Sequence, residues 1–406
     1  MNVLRSAAAC LLLGTAAPLA AEGLIDRLDE ALTVSAFDGH ARARLSGTLD
    51  LEGYYFPRTP PGLIHADDDG ALLNPRLTLF LDAQLGPHVY AFAQARADRG
   101  FDPGDGDREI RLDEYAIRLT PWEDGRFNLQ IGQFATVGGG WITRHLSWDN
   151  PFVSAPLPYE HVTAVRSRVP PYSARYFAPG TLWGKYDYLP VIWGPSYATG
   201  VSVAGRLGRF DYAAEVKNAS LSSVPESWSI TETGFEHPTV TGRIGFRPDP
   251  AWNLGLTASR GPYLMPEAAA ALPAGRGLED YQQITLGHDI SFAWHHWQLW
   301  AEVFVSRFEV PQVGNADTLA GYFEAKYKFT PQLFGALRWN QQFFSKVPDG
   351  WGGEHAWGDS LWRLDAALGY RFTPHTQLKL QYSPERATGG GPGTSHNFAV
   401  QFTVRF

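Results

Sequence analysis

The chain has 406 residues, 14% aromatic and only 19% charged, with 42 Gly and 29 Pro. This composition excludes a disordered chain and fits many short strands joined by turns better than a helical protein. The formal net charge of −8 without a long basic tract argues against nucleic acid as a partner.

Residues 1–21 place Arg5 ahead of an apolar run at 7–13 and small residues at 14–21, the layout of a cleavable secretory signal. The single cysteine, Cys10, falls inside that segment, so the remainder is thiol-free and suits an oxidising compartment without disulfides. Residues 22–37 space Leu24, Leu28 and Leu32 at helical intervals, which predicts a short amphipathic helix ahead of the main domain at 38–406. No later stretch reaches the ~18 to 20 apolar residues of a membrane-spanning helix.

From Ala41 the period changes to two. Ala41, Ala43, Leu45, Gly47, Leu49 and Leu51 alternate with Arg42, Arg44, Ser46, Thr48, Asp50 and Glu52. The same alternation returns at 77–85, 89–97, 115–119, 127–131, 201–207, 210–216, 240–246, 252–258, 284–294, 297–305, 319–329, 333–343, 362–372, 376–382 and 398–406. That makes about sixteen strands, most of them near the length that crosses a bilayer at a tilt.

The connections alternate strictly. Those at 86–87, 120–126, 208–209, 247–251, 295–296, 330–332 and 373–375 are tight, while those at 57–75, 99–108, 135–195, 218–239, 259–281, 306–317, 344–361 and 383–397 are long. A soluble sandwich shares the alternating strands but not this asymmetry, and a propeller needs a repeated blade motif, which is absent. Aromatics gather beside the tight turns: Trp122, Phe127, Phe210, Phe246, Trp252, Trp294, Trp297, Phe329, Phe372 and Phe406. Rings of this kind suit a bilayer's polar boundary. The expected fold is therefore all-β, a transmembrane antiparallel β-barrel in contact with outer-membrane lipid, the tight turns and the helix lying on the periplasmic side.

The last strand puts Phe398, Val400, Phe402, Val404 and Phe406 on one face and ends on the final ring. In this it resembles the assembly signal of bacterial outer-membrane proteins, with Phe406 in the terminal role. The longest connection, 135–195, joins the fifth and sixth strands. There the chain resembles the sixteen-stranded general porins, whose long third loop folds into the pore at the same strand count. The likeness is one of pattern over nearly the whole chain beyond residue 21. The Pro-Glu-Phe-Gly-Gly motif of many such loops is missing, and Gly138-Gly139-Gly140-Trp141 stands in the connection instead.

Two roles fit this aromatic connection. In one, Arg144, Asp149, Glu160, Arg166, Arg168 and Arg175 form a constriction selecting solutes by charge. In the other, the segment is an ordered outer cap held by Trp141, Trp148 and Pro151. On the wall, the face opposite lipid carries Arg42, Arg44, Arg76, Arg96 and Arg118, a basic ladder able to set up a transverse field. Neutralisation by Asp50, Glu52, Asp82 and Asp98 is the alternative. Later strands send Lys217, Arg243, Lys326, Lys328, Arg338, Arg363, Arg371 and Lys379 inward, against Asp211, Glu215, Asp289, Glu302, Glu324 and Asp365. Inward aromatics are Tyr90, Phe92, Trp300, Phe304, Tyr322 and Phe334.

No Gly-x-Ser-x-Gly elbow, zinc helix or phosphate-binding loop occurs, so neither an enzyme nor a cofactor or metal requirement is expected. Acid runs at Asp67, Asp68 and Asp69 and at Asp102, Asp105 and Asp107 read as solvated loop charge ahead of calcium ligands. The expectation is a porin giving passive passage to small hydrophilic solutes, with a weak anion preference. The alternatives are a substrate-specific channel for a sugar, aromatic acid or oxyanion, and a scaffold barrel housing a partner protein. The resemblance to general porins further implies a homotrimer.

Overall fold

A computed structural model describes residues 23, 25, 27, 28, 30–58, 62–64, 70–99, 109–177, 188–228, 234–389 and 393–406. The segment 1–21 and both acid runs lie outside the described residues.

The strands in chain order are β1 (Thr33–Ala36), β2 (Ala41–Tyr55), β3 (Ala71–Leu85), β4 (Val89–Asp98), β5 (Glu109–Leu119), β6 (Asn128–Phe134), β7 (Ala198–Leu207), β8 (Phe210–Lys217), β9 (Thr239–Phe246) and β10 (Trp252–Pro262). They continue as β11 (Gln282–Trp294), β12 (Trp297–Val310), β13 (Gly314–Lys328), β14 (Leu333–Phe344), β15 (Lys346–Pro348), β16 (Glu354–Ala356), β17 (Leu361–Arg371), β18 (Thr376–Ala387) and β19 (Ser395–Arg405). The main sheet has seventeen strands. Without the short β1, sixteen remain, each antiparallel to the next. β19 pairs back onto β2 from Phe398↔Tyr55 to Arg405↔Thr48, which closes the barrel. β15 and β16 form a small separate hairpin between β14 and β17.

The side-chain pattern is that of a globular core turned inside out. On β14, Leu337 and Trp339 are exposed on the outer face, whereas Arg338, Asn340 and Gln342 are fully buried on the inner one. On β12 the outward residues are Trp297, Leu299, Ala301, Val303 and Val305, and then Arg307 ends the series by pairing with the exposed Asp317 at 2.7 Å. At ~3.4 Å per residue and a tilt near 40°, that run covers about 20 Å, the height of a lipid-facing band. The aromatics beside the tight turns are exposed or half-buried, and some touch across strands: Phe210 lies 4.9 Å from Phe246, and Trp297 4.7 Å from Tyr327.

The barrel seam shows how the chain's last residue is accommodated. Gly47 and Phe406 exchange backbone hydrogen bonds at 2.9 and 3.0 Å. A Cβ at Gly47 would lie 2.7 Å from the Phe406 ring and 2.8 Å from the Thr78 carbonyl, so glycine is what lets the ring lie on the wall. Beyond that point β1 takes over the free edge of β2, from Thr33↔Arg44 to Ala36↔Ala41. This corrects the helix expected over 22–37. The described residues between 23 and 31 are helical, but β-branched Thr33 and Val34 extend to cover an edge that β19 is too short to reach.

A second departure lies in β5. Gln94 pairs with Glu114 but Ala95 pairs with Leu112, which leaves Asp113 as a bulge. The outward set therefore shifts from Ile110 and Leu112 to Tyr115 and Ile117, and both Asp113 and Glu114 face the interior. A bulge re-aims side chains in this way at the cost of one unpaired residue.

Candidate pore constriction

The connection between β6 and β7 is held against the inner wall by charged side chains of strands far away in sequence. At its start, Glu215 of β8 accepts the Thr136 hydroxyl at 2.5 Å and the Val137 N–H at 3.2 Å. Glu302 of β12 accepts the N–H groups of Gly140 and Trp141, the latter at 3.1 Å, and the Tyr159 hydroxyl at 2.6 Å. Burial and the nearby Glu302 raise the Tyr159 phenol well above its ordinary range, so it stays a donor. Gly139 has φ +104°, and a Cβ there would stand 2.2 Å from the Tyr159 oxygen. The triple glycine is what lets backbone N–H groups converge on one carboxylate.

From there an alternating ion series runs along the wall. Arg144 binds Glu324 at 2.6 Å, and Glu324 lies 3.7 Å from Arg338. Arg338 binds Asp365 at 2.8 Å, Arg363 binds Asp365 at 3.0 Å, and Arg363 closes on Glu160. The two ends, Arg144 and Glu160, belong to the connection and the middle to β13, β14 and β17. The cations also hold backbone: Arg338 donates to the Ser154 and Ala155 carbonyls, both at 3.1 Å, and Arg363 to Ala155 at 2.6 Å. Arg144 stacks 4.3 Å from the Trp300 ring and Arg338 4.2 Å from Phe152. Lys379 of β18 spends all three N–H bonds on the carbonyls of Ser147, Asn150 and Phe152, at 2.7, 2.9 and 3.0 Å. Every charge in this buried set has a counter-charge or carbonyl, which is the condition for tolerating them out of water.

His145 fixes the turn after Trp141. Burial holds its imidazole down at about 4, so the ring is neutral near pH 7. Its Nδ1–H then donates to the Ile142 carbonyl at 2.6 Å, which leaves Nε2 to accept the Tyr197 hydroxyl at 2.9 Å. Trp141, Ile142, Tyr159, Val191 and Ile192 pack with inward Phe304 and Tyr322 as an apolar wedge. Towards the long-connection side a larger apolar cluster joins Leu63, Val165, Phe177, Leu189 and Trp193 to Tyr263, Phe308, Val347 and Trp357.

The expected constriction residues do not form one group. Arg144 and Glu160 end the ion series, and Asp149 is exposed near the Trp148 turn. Arg166, Arg168 and Arg175 sit instead among the outer connections: Arg166 lies 5.7 Å from the Tyr188 ring, Arg168 donates to the Ser227 hydroxyl at 2.9 Å, and Arg175 stacks 4.2 Å from Trp351. On the opposite wall, Arg76 binds Asp50 at 3.2 Å and Glu52 at 2.5 Å, and Arg96 binds Asp113 at 2.5 Å. Arg42 and Arg44 are exposed, Arg44 standing across from Asp82. Arg118 is exposed too, binding Gln130 and stacking 5.7 and 5.8 Å from Tyr90 and Phe92. Inward Arg405, Asp113 and Glu114 were missed. The alternation would have found Arg405, which falls between outward Val404 and Phe406, whereas the bulge leaves no sequence signal for the two acids. Among the described residues no cluster of His, Cys, Asp or Glu is arranged to hold a metal.

No family model matches this chain, and no curated protein matches it in sequence. Solved structures match in fold. The anion-selective porin of Comamonas acidovorans superposes with a TM-score of 0.57 at 10% identity, over 90% of this chain and 100% of that one. OmpF of Salmonella typhi, solved with daunomycin, gives 0.57 at 11%, over 92% of this chain and 100% of its own. The fold is that of the porins. The outer-membrane channel DcaP of Acinetobacter baumannii gives 0.56 at 12%, again over 92% and 100%. The chain is thus a porin-like barrel whose sixteen strands, lipid-facing band and polar interior match that architecture.

Proposed function

We propose that this porin-like barrel is a non-enzymatic outer-membrane channel giving passive passage to small hydrophilic solutes, narrowed by the described part of the connection between β6 and β7. One observation carries this reading. At mid-height the inner wall is buried, from Asp50, Gln94 and Asp113 round to Arg338 and Asp365, whereas inward charges beside the tight turns, at Arg42, Arg44, Arg118, Lys328 and Arg405, remain exposed to water. Solvated inward charge at one end of a lumen whose middle is packed with polypeptide supports a pore narrowed part-way along its length. The weak anion preference belongs to the proposal, supported by exposed inward Lys328 and Arg405, which among the described residues have no carboxylate at salt-bridge distance, whereas Arg76 and Arg96 are neutralised. So does the homotrimer, since a trimer form is recorded for OmpT of Vibrio cholerae, a barrel of the same fold at 8% identity.

Liposome swelling with neutral sugars of increasing size tests the reading. Protein-dependent swelling with a sharp size cut-off supports it, and no swelling with even the smallest sugar overturns it.

A further inference from the structure

Among the described residues, the buried ammonium groups are partnered with one exception. Lys379 has its three carbonyls, and Lys217 has the Phe134 carbonyl at 2.6 Å and Glu215 at 3.4 Å. Lys326, 6% exposed, has its Nζ 4.3 Å from the Phe334 ring centroid. Among the described residues no carboxylate lies within salt-bridge distance of it. Two further inward cations share that condition, Arg371 at the end of β17 and Arg405 at the end of β19.

The two arginines meet at Trp148, and Lys326 lies within electrostatic reach of Arg371. The guanidinium of Arg371 lies 5.0 Å and that of Arg405 4.1 Å from the indole centroid. Both are aimed by neutral acceptors: Arg371 Nε donates to Gln377 at 2.9 Å, and Arg405 Nε to the Pro374 carbonyl at 2.8 Å. Lys326 and Arg371 repel each other, as do Arg371 and Arg405, with Lys328 and Arg44 adding to the field. Asp149, exposed at the turn, is the acid common to all three. Glu324 also attracts Lys326, but it is already engaged by Arg144 and Arg338. Three cations thus share one carboxylate at the tight-turn end of the lumen.

Resting on the channel reading above, we infer that this cluster of Lys326, Arg371 and Arg405 is a binding site for a compact, multiply charged oxyanion of the phosphate class. Two guanidinium forks and an ammonium offer several N–H donors to one small group of oxygens, which a single chloride cannot use. Stacking of an aromatic acid is disfavoured, because Trp148 is only 7% exposed and its ring is already flanked by both arginines. The cluster lies away from the ladder of Arg76 and Arg96, whose charges are already balanced.

The test uses the full-length barrel and inorganic phosphate. Chloride current across a planar bilayer is recorded as phosphate is added, and phosphate is titrated calorimetrically into the detergent-solubilised protein. The expected result is a saturable fall in current, with a half-saturation concentration raised at least tenfold in a Lys326→Met, Arg371→Gln double variant. Asp149→Asn should instead lower it several-fold, which protects the test against a double variant that folds poorly. Conduction without saturable block or saturable heat overturns the site, as does equal affinity in all variants. An absence of current alongside saturable heat that the double variant abolishes leaves the site standing and removes the channel.

Discussion

Replacing Lys379 with Met should loosen the tip of the pore-lining connection while leaving the barrel intact. The ammonium donates to the carbonyls of Ser147, Asn150 and Phe152 at 2.7 to 3.0 Å. Charge-assisted bonds are each worth about 1.5 to 3 kcal/mol net, and the methionine no longer bears the cost of a buried charge. A loss of about 3 kcal/mol follows for the attached state of the tip, on the order of 100-fold in its equilibrium against a detached one. The backbone of β18 keeps its register, since the pairing Lys379↔Gln401 uses no side chain. Single-channel recording reads the outcome: larger mean conductance and greater current noise than wild type. Arg307→Gln serves as the control, because that exposed residue pairs with Asp317 on the outer rim and should leave the current unchanged. A Lys379→Met channel with wild-type conductance and noise would refute the attachment.

Gly139→Ala should lower the temperature at which the folded form is lost on gel electrophoresis. The new methyl group meets the Tyr159 oxygen at a φ that alanine disfavours, a combined cost of about 2 to 4 kcal/mol; an unchanged transition would count against that geometry. Gly47→Val should slow assembly or leave unfolded chain, because the Phe406 ring loses its seat, whereas deleting Phe406 should impair assembly yet leave the barrel once formed; pulse-labelled folding measures both. His145 contributes a pH dependence of known sign. Its folded value near 4 lies below the ordinary 6.5, so its stabilising share is complete above about pH 6.5 and is lost as pH falls towards 4. That share amounts to at most about 3 kcal/mol, the pKa being held down by burial with Arg96 and Arg76 adding to it. The difference in unfolding temperature between wild type and His145→Gln should therefore shrink from pH 7.5 to 4.5, and a constant difference would exclude this role.

The barrel was legible because its information is local. A strand such as β14 announces both faces within a few residues, and tight turns such as 208–209 alternate with long connections whatever the rest of the chain does. Phe406 likewise declares its face through Phe402 and Val404. The site was legible only in part, since its partners are set by register rather than by neighbourhood. Arg144 meets Glu324 180 residues away and Arg363 meets Glu160 203 residues away, so the connection's charges were visible but their partners were not. Arg166, Arg168 and Arg175 share the connection with Arg144 yet fall among the outer loops, because the chain has climbed away from the wall by then. Asp113 and Glu114 were hidden by the bulge, which breaks the period-two rule at the point where two acids are needed to face Arg96, Arg111 and the start of the connection.

The most direct test of the central claim is single-channel recording of the purified wild-type barrel in a planar bilayer under a potassium chloride gradient. The account predicts discrete ohmic steps and a reversal potential displaced modestly towards that of chloride. A silent bilayer, with protein verified as folded and inserted, would contradict a water-filled pore beside the packed connection.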